Sequence, residues 1–291
     1  ACCSKDICNF SFLNLGIGSH IITEIKRDPL ASDFIIALAA AACFAPPHPP
    51  VFDPSPSIAN VRFNPKFFET LPSMKQICAS CNTDAELRTY LGNENYEILR
   101  FFILANKAQL TTIPNSLKVD VGVNGTQFFI SSVSTELELI FRQKRKQYGV
   151  QWLWHGSLTD RWYRILHTGL KDFGQTEFTT HGPPYYGKGI YMSESFHYSY
   201  WYCTAAPNKY KKSALPKNLL IISLVENANT PGLTKPVTTH EYTQKDDQAC
   251  ITRILFVMDP DDIKNPTLDT NTIANPPKVH DFQEILLNNI K

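Results

Sequence analysis

The chain has 291 residues, 43% hydrophobic and 19% charged, enough apolar material for a substantial core and no case for disorder. Its 28 lysines and arginines almost cancel 27 aspartates and glutamates, leaving a formal charge of +1. That balance excludes an overall electrostatic grip on nucleic acid or membrane and leaves room only for a local patch.

The opening Ala1-Cys2-Cys3-Ser4-Lys5-Asp6 lacks the apolar core of a signal peptide. The eight cysteines (2, 3, 8, 43, 78, 81, 203 and 250) follow no regular spacing in a chain too large to need staples. Together these predict a reduced, intracellular protein. In that setting Asn124-Gly125-Thr126 is not a glycosylation site.

From Ser32 to Phe44 the pattern is helical, and the apolar run Phe34–Ala45 is too short to cross a bilayer. Pro46-Pro47-His48-Pro49-Pro50 ends that helix, because proline has no N–H donor and disfavours helix before it. Residues 46–57 read as a Pro-rich linker whose spacing also resembles an adaptor ligand. Cys78-x-x-Cys81 has zinc-ligand spacing and could combine with Cys3 and Cys8, against the plainer reading of packing cysteines. Thr83-x-x-Glu86 opens a helix that stops at Gly92, and Tyr96, Leu99, Phe102 and Ile103 mark a second one. Residues 1–112 are therefore expected to form a mostly helical unit.

After Pro114 the texture changes. Leu117–Val123, Asn124-Gly125 and Gln127–Ser131 predict a β-hairpin. Val133–Tyr148 is an amphipathic helix with Leu137, Ile140, Phe141 and Tyr148 on one face, and Arg142–Lys146 as its solvated side. Trp152–Gly156 reads as a strand and Arg161–Thr168 as a helix ended by Gly169. Leu219–Val225 and Ile251–Met258 are continuous apolar strands, buried on both faces. Without strict βαβ alternation or any internal repeat, the fold class is α+β, not a doubly wound sheet.

The chemistry lies in one block. Gly156, directly after a strand, allows a ligand close to its main chain, and Gly187-x-Gly189 does the same opposite. Tyr191 and Tyr202 can hold a planar ring, and Ser199 lies on the same helical face as Tyr202.

Here Trp154-His155-Gly156-Ser157, Ile165-Leu166-x-x-Gly169-Leu170, Tyr186-Gly187-Lys188-Gly189-Ile190-Tyr191-Met192-Ser193 and Thr252-Arg253-Ile254-Leu255-Phe256-Val257 resemble the catalytic domain of the poly(ADP-ribose) polymerase family. These are the diphtheria-toxin-like ADP-ribosyltransferases. The resemblance covers about residues 116–260. A weaker likeness at Cys8-x-Phe10-x-Phe12-x-x-Leu15-Gly16 and Phe63-Asn64-Pro65 is similar to mono-ADP-ribosyltransferases, including fungal members fused to a ubiquitin-conjugating domain.

The resemblance implies a split antiparallel β-sandwich over residues 116–291, preceded by the helical unit, and NAD as substrate. Gly156 and Ser199 would hold the nicotinamide amide, with Tyr191 and Tyr202 stacked on the ring. His155 would bond the adenosine ribose beside Ser157, and Lys188 would lie near the nicotinamide ribose or the acceptor. Polymer-forming members carry a glutamate where Ile254 stands, so single transfer is implied. The acceptor is a protein side chain, ubiquitin or a nucleic-acid end, and no metal or membrane is involved. Arg161, where relatives often carry asparagine, is a second departure and would lie near the pyrophosphate. Glu241, Asp246 and Asp247 fall in a loop that would face the acceptor, where one could replace the missing glutamate or be a modification site, against the plainer reading of solvated loop charges, and Cys203 is a small core residue. Two other readings stay open: an inactive NAD- or ADP-ribose-binding module, and a partner-recruiting piece of a ubiquitin-pathway protein.

Overall fold

The computed structural model describes residues 20–46, 51–56, 63–106, 108–172, 186–236 and 240–263. The expectations for Cys3, Cys8 and the likeness at Cys8–Gly16 lie outside them. The chain divides into two compact units, one of residues 1–107, 160–167 and 207–217, the other of 108–159, 168–206 and 218–291.

The first unit contains α1 (Ile21–Arg27), α2 (Pro29–Cys43), α3 (Phe67–Thr70), α4 (Met74–Ser80), α5 (Asp84–Leu91) and α6 (Asn93–Ala105). Every residue of α2 from Ala31 to Ala42 is buried. A helix so largely apolar, with Asp33 as its one buried charge, belongs inside a core. At α5 the capping box is half made: Thr83 Oγ1 accepts from Glu86 N at 3.1 Å, while the Glu86 carboxylate accepts from Asn82 N. Tyr96, Leu99, Phe102 and Ile103 of α6 are all buried, as their spacing predicts.

Two later segments complete this unit. Tyr163 joins an aromatic cluster with Phe52 and Phe102 and donates its hydroxyl to the Pro54 carbonyl at 2.7 Å. Buried Asp33 accepts from the Ser213 hydroxyl and from Ala214 N, so its desolvated carboxyl is satisfied from the 207–217 segment. Hydrophobic periodicity within 1–112 carries no trace of either segment.

The second unit is built on β1 (Gln109–Thr112), β2 (Thr126–Ser132), α7 (Thr135–Tyr148) and β3 (Val150–Gly156). After helix α8 (Trp162–Thr168) come β4 (Ile190–Ser193), α9 (Phe196–Tyr200), β5 (Ala206–Pro207), β6 (Asn218–Ala228), β7 (Leu233–Thr234), β8 (Glu241–Gln244) and β9 (Cys250–Met258). Among the described residues the strands form one sheet in the order β1-β2-β9-β6-β3-β4-β8-β7, with β5 pairing β6. Each neighbouring pair in that order is antiparallel. β9 is buried throughout and β6 at every position after Asn218, which explains their continuous apolar runs.

The expected hairpin at Asn124-Gly125 is not made. β2 has β1 on one side and β9 on the other, so residues 117–123 find no free edge. Instead the Gln127 side chain takes the place of a strand partner, donating to Val119 O at 2.7 Å and accepting from Val119 N at 2.9 Å. Gly125 is required because a Cβ there would lie 2.8 Å from Val257 O on β9.

Helix α7 also differs from its reading. Phe141 is buried, but Tyr148 is exposed and Glu138 is buried in its stead. The cause is Arg253. It grips Glu138 through both terminal nitrogens, at 2.6 and 3.1 Å, and Glu226 through Nε at 2.9 Å. Leu224 pairs with Ile254 and Val225 with Thr252, so Arg253 is the extra residue of a β-bulge. Arg145 of the predicted solvated run pairs with Glu226 at 3.2 Å, and Lys144 with Asp246. Because removing one member of a buried ion cluster strands the others, Arg253→Ala is expected to cost about 3–5 kcal/mol of stability, measured by urea denaturation.

Candidate active site

Strands β3 and β4 are paired at one position, Trp154 opposite Ser193. Beyond it the link is a side chain: His155 Nδ1 lies 2.8 Å from the Tyr191 carbonyl oxygen. A carbonyl can only accept, so Nδ1 carries the proton and Nε2 is an acceptor. Burial pushes the His155 pKa down, which favours this neutral form, and the Tyr191 bond opposes the shift in part.

The next residue, Gly156, tolerates no side chain. A Cβ built there would collide with the Ser199 carbonyl oxygen and lie 3.0 Å from Cys203 Sγ. Helix α9 is thus pressed against the end of β3. Ser195 caps it by accepting from Tyr198 N at 3.2 Å, and the Ser199 hydroxyl donates to the Trp154 carbonyl at 3.0 Å. Below them Phe196 meets Trp154 edge-on, ring centroids 5.0 Å apart. The Cys203 thiol, hydrogen-bonded to the Ser157 backbone, is pushed up to about 12 by burial, which favours the protonated thiol at neutral pH.

Opposite, the glycine loop closes on its own tyrosine. The Tyr191 hydroxyl donates to Gly187 O and accepts from Tyr186 N, both at 2.8 Å. Gly187 and Gly189 have φ of 86° and 146°, a region other residues rarely enter. A Cβ on Gly189 would also lie 2.5 Å from Thr243 Cγ2 of β8. Lys188, between them, is exposed.

Tyr202 turns its hydroxyl to Glu241, at 3.2 Å from Oε1, with the Tyr198 hydroxyl 3.4 Å away. Glu241 begins β8 directly across from Ser193. Burial raises the pKa of Tyr191, Tyr198 and Tyr202, and the Glu241 charge adds to each shift.

The fold therefore brings His155, Gly156, Ser199 and Tyr191 together directly, with Ser157 on Cys203 and Tyr202 on Glu241. Ile254 is 0% exposed, in the apolar cluster of Trp154, Phe196, Leu224 and Phe256, so its side chain offers a ligand no surface. Asp246 and Asp247 are paired with Lys144 and Lys171. Arg161 belongs to the other unit. Tyr198 was not singled out by sequence, although its spacing of four from Tyr202 on a helix was the signal. Among the described residues no group of three or more His, Cys, Asp or Glu is arranged to hold a metal, and burial raises the pKa of both Cys78 and Cys81. No described helix is long and apolar enough to cross a membrane.

A model of the poly(ADP-ribose) polymerase catalytic domain matches residues 120–271, a little over half of the chain. The chain belongs to that family. It is also similar to two curated members named protein mono-ADP-ribosyltransferase PARP8. The human protein is 24% identical over 267 residues, covering 86% of this chain and 30% of the relative. The mouse protein is 23% identical over 277 residues, covering 89% and 32%. The chain thus spans about a third of the length of these relatives. The His155-Gly156-Ser157 turn has a structural duty in this fold. Gly156→Ala is expected to lower stability by roughly 1–3 kcal/mol through overpacking against the Ser199 carbonyl, seen as a fall in Tm.

Proposed function

We propose that the chain is an NAD-dependent mono-ADP-ribosyltransferase that releases nicotinamide and passes one ADP-ribose to a macromolecular acceptor. Family membership and the names of the PARP8 relatives support this reading. The single observation that carries it is the packing of Ser199 onto Gly156 beside the tyrosines. In this reading residues 116–291, apart from the 160–167 and 207–217 segments that complete the helical unit, form the catalytic part, a split antiparallel β-sandwich that opens where β3 and β4 are joined at Trp154 and Ser193. Residues 1–112 are its helical accessory.

The carboxamide of nicotinamide bonds the Gly156 main chain and the Ser199 hydroxyl, which turns away from the Trp154 carbonyl to meet it. Tyr191 and Tyr202 flank the ring, each contact adding about 0.5–1.5 kcal/mol beyond area burial. His155 Nε2 accepts from a hydroxyl of the adenosine ribose, with Ser157 beside it and Lys188 toward the acceptor. So held, the bond between nicotinamide and ribose breaks with its electron pair leaving on nicotinamide. The acceptor nucleophile adds to the oxocarbenium-like carbon and gives up its proton to solvent or a base. The protein contributes position and electrostatics.

Extending a polymer calls for a group at the Ile254 position able to activate an incoming ribose hydroxyl, and isoleucine neither accepts a proton nor stabilises positive charge. The acceptor is a protein side chain, ubiquitin or a nucleic-acid end, reached inside the cell. The burial of Ile254 also favours a second reading, a module that binds NAD or ADP-ribose without turning it over.

Incubation of the chain with labelled NAD and candidate acceptors is expected to release nicotinamide and add a single ADP-ribose per modified site by mass spectrometry. A ladder of long polymer would reject the proposal. Binding of a nicotinamide analogue with no nicotinamide release would leave the second reading.

A further inference from the structure

We propose that Glu241 makes this site selective for a positively charged ring: it favours an N-alkylated pyridinium, as in NAD, over neutral nicotinamide. The inference rests on the ring-stacking roles given above to Tyr191 and Tyr202, and it goes beyond them by assigning a charge preference to a residue of β8.

Glu241 is 7% exposed, and its place is set by strand register, opposite Ser193, which pairs β4 with β8 one position before the loop residue Glu194. Its Oε1 accepts from the Tyr202 hydroxyl at 3.2 Å, and the Tyr198 hydroxyl also hydrogen-bonds to it. The same charge acts on the Tyr191 hydroxyl of the neighbouring strand β4, after the larger effect of burial. One carboxylate is thus felt by both rings proposed to flank nicotinamide.

In that reading a ring lying on Tyr202 rests on the side chain whose hydroxyl meets Glu241 Oε1 at 3.2 Å. Little water can enter to screen the interaction, since the group is buried. A neutral ring gains nothing from the charge, whereas a pyridinium does. When the bond to ribose breaks, the ring loses its charge, so the same carboxylate favours departure of the product relative to the substrate. Ile254 on the closing strand can supply no such charge.

The test uses the full chain, titrated calorimetrically with nicotinamide and with its 1-methyl pyridinium analogue, which share ring and carboxamide but differ by one charge. The wild type is expected to bind the cation about ten-fold more tightly or better. Glu241→Gln keeps an acceptor for the tyrosine hydroxyls. It should hold neutral nicotinamide to within about three-fold while the cation preference falls to near unity. A wild-type ratio near one overturns the inference with no variant needed, as does a Glu241→Gln protein that retains the preference. If the wild type binds neither ring, the proposed function itself has failed and this inference falls with it. Binding of nicotinamide without charge preference sinks the inference alone.

Discussion

The main-chain carbonyl of Ser199 occupies the space where a side chain at position 156 would begin. That close approach seats α9 on the end of β3, and the hydroxyl of Ser199 secures it to the Trp154 carbonyl. Phe196, one turn earlier on the same helix, fills the apolar cluster beneath through its edge-on contact with Trp154. A single-residue helix shift would break the hydrogen bond and the aromatic contact together. Close packing makes such a shift costly.

The other wall depends on the strand register of β4 and β8. Ser193 stands opposite Trp154 on one side and Glu241 on the other, so one residue links the end of β3 to the carboxylate that holds Tyr202. Just outside, Glu194 accepts from Lys235 at 2.9 Å and from the Tyr242 hydroxyl at 3.0 Å, with His240 nearby. These bonds hold the Glu194 carboxyl below its usual pKa even though burial opposes them. On the far side of β9, the Arg253 cluster joins α7 to β6 and β9. Buried charges are tolerable there only because each is met by an opposite charge at hydrogen-bond distance.

Glycine has a different cause at each position. Gly156 makes room for the Ser199 carbonyl and Gly125 for the Val257 carbonyl, whereas Gly189 combines close packing on β8 with a φ of 146°. The reading of Gly156 as a residue kept small for a ligand is therefore incomplete, because the neighbouring helix already demands it.

By itself the sequence determined most of the local elements and pointed to the family. Continuous apolar runs marked β6 and β9, helical spacing marked α2 and α6, and the ordered His155-Gly156-Ser157, Gly187-x-Gly189-Ile190-Tyr191 and Ser199/Tyr202 blocks marked the candidate site. These are legible because period and backbone preference act between near neighbours. The tertiary structure alone decided that β2 pairs with β1 instead of residues 117–123, and that Glu138 is buried on Arg253. It also decided that 160–167 and 207–217 belong with the helices, and that Glu241 meets Tyr202. Each of these joins residues far apart in the chain through shared burial or a hydrogen bond, and no local pattern records which distant partner will satisfy a buried group.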